Sequence, residues 1–294
     1  MTPGAEADRS QPPTPSGGGS PAPGRHGPSD AGRLVLLALA VLLLLVSLVP
    51  PVATWARRYE SFEALQFSLL AVVVPALVVL GAPWRLLGLA ARRPVLLDDD
   101  GAQMEDGDRL RPVDRLAEGR RRHPEALRSM LFAFLFLATA IVWRIPAAVD
   151  ALVRHPWLAP IEAVTLVASG VGLWLELVES APLVPRLSRP NRVALAAVSM
   201  WTIWVMAYLV AMSHVSWYPA YVHHAGSGLS LAADQQLGMG LIVVISGCAF
   251  VPVVFGNLIR WLQAQEDPDE EMQRVLRTER IRGRTIDGGP AHPA

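Results

Sequence analysis

The chain of 294 residues is 52% hydrophobic and only 18% charged, and its formal net charge is zero. This composition excludes a strongly basic nucleic-acid-binding protein and a highly charged disordered chain. All 26 basic residues are arginines, and a single cysteine, Cys248, excludes an intramolecular disulfide framework.

The first 33 residues are rich in Pro, Gly and Ser, and they predict a disordered tail. Apolar stretches of about 20 residues follow, the length that crosses the hydrocarbon core of a bilayer. We place six spans, at Leu34–Ala53, Phe62–Ala82, Ser129–Pro146, Ile161–Val178, Val193–Ser213 and Leu237–Ile259. Backbone groups in lipid must be satisfied within their own segment, so these spans predict an all-α, polytopic membrane helical bundle.

The bundle covers residues 34–262, and a charged tail of residues 263–294 follows it. Four segments share one side of the membrane. They are the tail before the bundle with three arginines, loop 84–128 with ten, loop 179–192 with three and the C-terminal tail with six. The opposite side holds four, so the count is 22 against 4. The positive-inside rule therefore predicts that both termini and loop 84–128 are cytoplasmic, and that loop 214–236 faces outward.

Two ionisable residues lie at the outer ends of predicted spans, where burial of a charge needs a reason. Arg144 ends the third span and Glu162 begins the fourth. The short connection between these antiparallel helices predicts that the two side chains form a structural ion pair. The alternative is that each side chain reaches the outer headgroups separately, Arg144 by extending its long stem.

Loop 214–236 carries the candidate metal ligands His214, His223, His224 and Asp234. Histidine is the commonest metal ligand, and a thioether from Met212 or Met239 would favour copper in its reduced form. The spacing of these residues matches no closed tetrahedral site. The alternative is therefore a polar interfacial loop whose histidines are solvated.

Phosphate-binding loops, nucleophile elbows and metalloprotease motifs are missing from the sequence. We therefore expect a protein that is not an enzyme and has no certain cofactor. A small transporter is a weaker alternative, since we find no repeat and the centres of the spans are apolar.

Several segments together resemble the CtaG-like cytochrome c oxidase assembly factors of the bacterial plasma membrane. They are PALVVLGAPWRLL (Pro75–Leu87), VWRIPAAVDALVRHPWLAPIEAV (Val142–Val164), WYPAY and LSLAADQQLGMGLI within Trp217–Ile242, and RWLQAQED (Arg260–Asp267). The resemblance implies an accessory factor in the plasma membrane that contacts oxidase subunits and the lipid bilayer, and it implies copper delivery to the catalytic subunit.

The resemblance also implies histidines near the outer ends of the second, third and fourth helices. This sequence has Gln66 and Phe67 at the first place, Arg144 at the second, and Glu162 followed by Ala163 at the third. A guanidinium stays protonated and donates no lone pair to a metal. We therefore expect the fold to match the family and the copper site not to, with a structural paralogue that binds no metal as the alternative function.

Overall fold

The computed structural model describes residues 29–89, 112–122, 126–224 and 228–286, and it is all-helical, as the sequence predicts. The helices are α1 (Asp30–Leu48), α2 (Val52–Ala56), α3 (Glu60–Ser68), α4 (Val74–Gly81), α5 (Pro83–Leu86), α6 (Pro112–Arg122), α7 (Ala126–Arg144), α8 (Pro146–Arg154), α9 (Ala159–Leu177), α10 (Arg189–Ala211) and α11 (Leu231–Ile286). A π-helical turn (Leu69–Val73) joins α3 to α4, and short 3₁₀ turns precede α9 and α11.

Six helical stretches are long and apolar enough to cross a membrane, which confirms the predicted number of spans. They are Asp30–Leu48, Glu60–Leu86, Leu127–Arg144, Pro156–Leu177, Arg189–Ala211 and Leu231–Gln263. The boundaries differ at several ends. The first helix begins four residues before the predicted Leu34, because the Ser29 hydroxyl caps it by accepting a hydrogen bond from the Gly32 amide at 3.2 Å.

Parts of the predicted tails and loops lie outside the described residues, among them residues 1–28, 90–111 and 287–294. The described part of the predicted loop 84–128 contains α6. This helix packs through Ala117 in a cluster with Trp84 and Leu183. The last helix, α11, continues through the predicted C-terminal tail as far as Ile286.

The second span, Glu60–Leu86, forms the centre of the bundle and contacts α1, α9 and α11. Its most apolar stretch is 67% buried, whereas that of α1 is 11% buried. The first helix therefore lies at the edge of the bundle, where four of its nine leucines are exposed and none is buried. It approaches the central span at Gly81, where an added Cβ would lie 3.2 Å from the Arg33 carbonyl oxygen.

In the central span, Pro75 has no N–H to donate to the carbonyl of Ala71. The π-helical turn directly before Pro75 takes up this break in the helical hydrogen bonds. Helix α9 packs into the same place through Gly170. A Cβ there would lie 2.5 Å from Pro75 Cγ and 2.7 Å from the Ala71 oxygen, so only glycine permits this approach.

The bundle has two ends, and each carries a buried charged side chain after which we name it. The Arg144 end contains the last turns of α1, α7 and α10 and the first turns of α3, α9 and α11. The Glu176 end contains the last turn of α9, the start of α10 and helix α6. Between the ends, one continuous core surrounds Phe67, Phe136 and Trp174.

Candidate functional site

Arg144, the last residue of α7, is only 4% exposed and pairs with two carboxylates from the central span. Its Nη1 donates a short hydrogen bond to Oε2 of Glu63, and its Nη2 lies 3.2 Å from Oε1 of Glu60. Each carboxylate side chain is itself more than nine-tenths buried. Such a desolvated charge cluster is stable only while its members remain together.

The first turn of α3 places both carboxylates on one face, because Glu60 and Glu63 are three residues apart. Negative charge near a helix N-terminus is also favoured by the helix dipole. The turn is capped from a distant helix: Oδ2 of Asp234 accepts a hydrogen bond from the Glu60 amide at 2.7 Å, and its Oδ1 accepts one from the Ser61 hydroxyl at 2.5 Å. Helix α11 therefore fixes the start of α3.

Two aromatic rings surround the Arg144 guanidinium. Its central carbon lies 5.6 Å from the ring centre of Phe67 and 5.1 Å from that of Tyr218, within the range of cation–π attraction. The Tyr218 hydroxyl donates to the Arg144 carbonyl at 3.2 Å. Burial raises the pKa of Tyr218 to about 12, so this hydroxyl remains a donor over the physiological pH range.

The predicted direct pair between Arg144 and Glu162 is not among the ion pairs closer than 4.0 Å in the described part of the chain. The central span supplies two nearer carboxylates, and these take the guanidinium instead. Glu162 is buried in the same region and lines a cavity of about 250 Å³ with Glu63 and Gln66. Oε1 of Glu63 has no hydrogen-bond partner among the described protein atoms.

The Arg144 end thus gathers four buried carboxylates near one buried guanidinium, those of Glu60, Glu63, Glu162 and Asp234. Arg57 lines the same cavity from its wall. Isolated buried charges are costly, so surplus carboxylates in such a place bind protons or a cation. The cluster can hold helices in register and can take up positive charge from the cavity.

A second charge cluster lies at the opposite end of the bundle, around the fully buried Glu176. Its Oε1 accepts from Nη2 of Arg120 at 2.7 Å and lies 3.4 Å from Nη1 of Arg186. Its Oε2 accepts from the Ser129 hydroxyl at 2.9 Å. One carboxylate therefore fastens α6, α7 and the connection before α10 to the end of α9.

The structure describes the side chains of two of the predicted metal ligands, His214 and Asp234, and these lie in different environments. His214 is exposed, whereas Asp234 is buried and its carboxylate is occupied by the cap on α3. The side chains of His223 and His224 lie outside the described residues. Of the supporting sulfurs, Met212 is exposed.

The sulfur of Met239 is buried and lies 4.0 Å from Nη2 of Arg144, a cation that would repel a metal ion bound at this sulfur. Among the side chains that the structure describes, no three His, Cys, Asp or Glu groups converge as metal ligands would. The described members of the predicted set therefore do not form a metal site by themselves.

The three places where the family resemblance implies histidines do meet at the Arg144 end. Gln66 and Glu162 line the same cavity, and Phe67 lies against Arg144. The donors there are carboxylate and amide oxygens and a guanidinium, whereas reduced copper prefers thiolate, thioether or imidazole. These residues fit an ion cluster and do not fit a copper site.

The sequence reasoning missed Glu60 and Glu63 as partners of Arg144. The sequence does contain an indication of this role, because Glu63 is a charged residue inside the predicted second span, where charges are rare. The sequence likewise gave no indication that Glu176 is fully buried. Its partner Arg120 belongs to a polar loop that gave no sign of docking onto the bundle.

Comparison with protein-family profiles gives a match to "Cytochrome c oxidase caa3 assembly factor" over residues 22–264. Comparisons with curated proteins and with solved structures give no significant match. The matched region contains all six spans and both charge clusters. The chain therefore belongs to the cytochrome c oxidase caa3 assembly factor family.

Proposed function

We propose that this protein assists the assembly of a cytochrome c oxidase by binding an oxidase subunit within the bilayer. Membership in the assembly factor family over residues 22–264 is the observation that carries this proposal. The fold supports it, because large apolar side chains are exposed along α1, α7 and α10, where a membrane partner can pack. Docking of this kind needs no catalytic group.

The Arg144 cluster supports a docking role more directly than a copper site. It joins α3, α7 and α11 through buried ion pairs and the Asp234 cap. A guanidinium between two carboxylates holds these helix ends in one arrangement, which gives a partner subunit a preformed surface.

Copper delivery is the second candidate function, because the exposed His214 lies within ten residues of His223 and His224. Copper is then cargo that the protein passes to the oxidase. We expect purified protein to bind reduced copper and the triple variant His214→Ala, His223→Ala, His224→Ala to lose that binding. Binding unchanged in the triple variant removes this loop as the copper site.

One experiment separates the two candidates. The gene is deleted, and assembled oxidase is measured by its haem spectrum and activity, with and without added copper. A docking factor predicts an assembly defect that copper does not correct, whereas a copper carrier predicts a defect that copper corrects. Normal oxidase in the deletion strain would contradict both and would point to a structural paralogue or a transporter.

The plasma membrane location and cytoplasmic termini predicted from the arginine counts form part of the same proposal. A cysteine introduced beside Trp217 in a Cys248→Ser background should react with a membrane-impermeant maleimide on intact cells. A cysteine introduced between positions 92 and 123 should react only after the cells are opened. The reverse pattern would invert the topology.

A further inference from the structure

A large apolar cleft opens on the bundle toward its Glu176 end. It has a volume of about 640 Å³ and lies between the central span, the end of α9 and the second half of the membrane segment of α11. Its walls are formed by apolar side chains such as Leu69, Leu77, Trp174, Val244 and Val253. This volume lies within the range of sites that bind small molecules.

The mouth of the cleft is polar and carries Glu179, Asn257 and Arg260. Glu179 already has a cationic partner, since its Oε1 lies 3.1 Å from Nη1 of Arg192. Nη1 of Arg189 donates to the Arg260 carbonyl at 3.0 Å, which brings a third guanidinium to the same place. Of these three arginines only Arg260 lines the cleft, and together with Glu179 the four side chains carry a net charge of +2 at its polar end.

The depth of the cleft suits a lipid. It follows α11 from Val244 to Arg260, which is 16 residues or about 24 Å of helix. One leaflet with its headgroup layer is about 20–22 Å deep. A cleft that is apolar along its length and cationic at one end therefore matches the shape and charge of an anionic phospholipid.

We propose that this cleft binds an anionic phospholipid, with an acyl chain along α11 and the phosphate at Arg260 and Arg189. The site is distinct from the Arg144 end, and it does not rest on the proposed role in oxidase assembly. A neutral transmembrane segment of a partner protein would fill the apolar walls but would leave this excess of positive charge uncompensated.

Gly256 offers a way to fill the cleft without disturbing the fold. It lines the cleft, and an added Cβ would meet nothing within 4 Å. Gly240 is the matched control, because it lies on the same helix outside the cleft and its added Cβ also meets nothing within 4 Å. We therefore compare Gly256→Leu with Gly240→Leu, and we check by circular dichroism that both keep the helical content and melting temperature of the wild type.

Each full-length protein is reconstituted with equal amounts of phosphatidylglycerol and phosphatidylcholine, and native mass spectrometry then measures the retained lipid. We expect the wild type and Gly240→Leu to retain phosphatidylglycerol preferentially and Gly256→Leu to lose it. Arg260→Gln should reduce the preference about fivefold, as expected for one arginine near an anionic headgroup.

Cys248 supplies an independent readout, because it is the single cysteine of the chain, lines the cleft and is exposed. Adding phosphatidylglycerol to lipid-depleted protein should slow its alkylation by N-ethylmaleimide several-fold, and phosphatidylcholine should not. Any of three results would overturn the proposal. They are equal retention of the two lipids, lipid retention that Gly256→Leu does not change, and a rate of Cys248 alkylation that is the same with either headgroup.

Discussion

The two ends of the bundle bury charge in opposite ways. At the Arg144 end, one guanidinium lies near four buried carboxylates, and all five groups belong to membrane-spanning helices. At the Glu176 end, one buried carboxylate receives two arginines that come from outside the spans, on α6 and on the connection before α10. The first cluster joins spans to one another, and the second fastens polar segments onto the bundle.

This difference determines what happens when a partner is lost. The arginines around Glu176 keep some exposure and have long stems, so they can turn toward water. The carboxylate side chains around Arg144 are short and lie in the bundle interior, so they cannot turn toward water. We therefore expect the Arg144 end to be the more sensitive of the two, and the following experiments rank the sites on that basis.

The largest effect is expected for Arg144→Met, which leaves Glu60 and Glu63 buried without their cation. Loss of one partner of a buried charge cluster costs about 3–5 kcal/mol. Denaturant unfolding of the purified protein in detergent measures this loss.

Glu162→Gln is the control within the same cluster, because Glu162 makes no contact below 4.0 Å with Arg144 among the described residues. It should cost clearly less than Glu63→Gln, which removes a direct partner. Equal losses for the two glutamine variants would mean that Glu162 supports Arg144 as strongly as Glu63 does.

A smaller effect is expected for Glu176→Gln at the opposite end. The variant loses charge-assisted hydrogen bonds worth about 1.5–3 kcal/mol, and its arginines then turn to solvent. Hydrogen exchange should speed up in α6, since Glu176 holds Arg120. The same exchange in Arg144→Met should stay slow in α6, and if it speeds up there as well, the two ends are not independent.

Gly170→Ala tests the packing between the two ends. The added methyl group would meet Pro75 and the Ala71 oxygen at less than 3 Å, which forces α9 away from the central span. Overpacking of this kind costs about 1–3 kcal/mol, measured as a drop in unfolding free energy. Gly240→Ala, where an added Cβ meets nothing within 4 Å, should be nearly neutral.

The smallest effect concerns pH at the Glu176 end. Burial raises the pKa of Glu179, but the hydrogen bond and charge of Arg192, with Arg260 and Arg189, outweigh it and hold the pKa below its ordinary value. A lowered pKa stabilises the fold at neutral pH, and that contribution is lost as the pH falls through the folded-state pKa. Glu179→Gln should therefore slightly reduce the fall in unfolding free energy as the pH is lowered into the acidic range. An unchanged dependence of the unfolding free energy on pH would contradict the pairing of Glu179 with Arg192.

The number of spans and their approximate places could be predicted, because the length of an apolar run depends only on local sequence and on bilayer thickness. Arg144 and Glu162 could also be singled out, since ionisable residues inside a span are rare. Their partners could not. Glu60 and Glu63 are far from Arg144 in the chain, and only the packing of the helices in the bundle decides which carboxylate is nearest.

The predicted role of Asp234 illustrates the same limit. Its sequence neighbours suggested a metal ligand, yet its carboxylate caps α3, which begins 174 residues earlier. A cap of this kind joins two helices that no local pattern relates. The docking of α6 could not be predicted for a similar reason, because Arg120 and its partner Glu176 lie on segments that no local pattern relates.

That same cap has a consequence for biosynthesis. Glu60 and Glu63 leave the ribosome long before Arg144, and Asp234 follows only with the last span. Until α7 arrives, the nascent chain carries two glutamates at the start of its second span without their cation, and until α11 arrives it lacks the cap. The start of the second span can therefore reach its final hydrogen bonding only after the last span has been inserted.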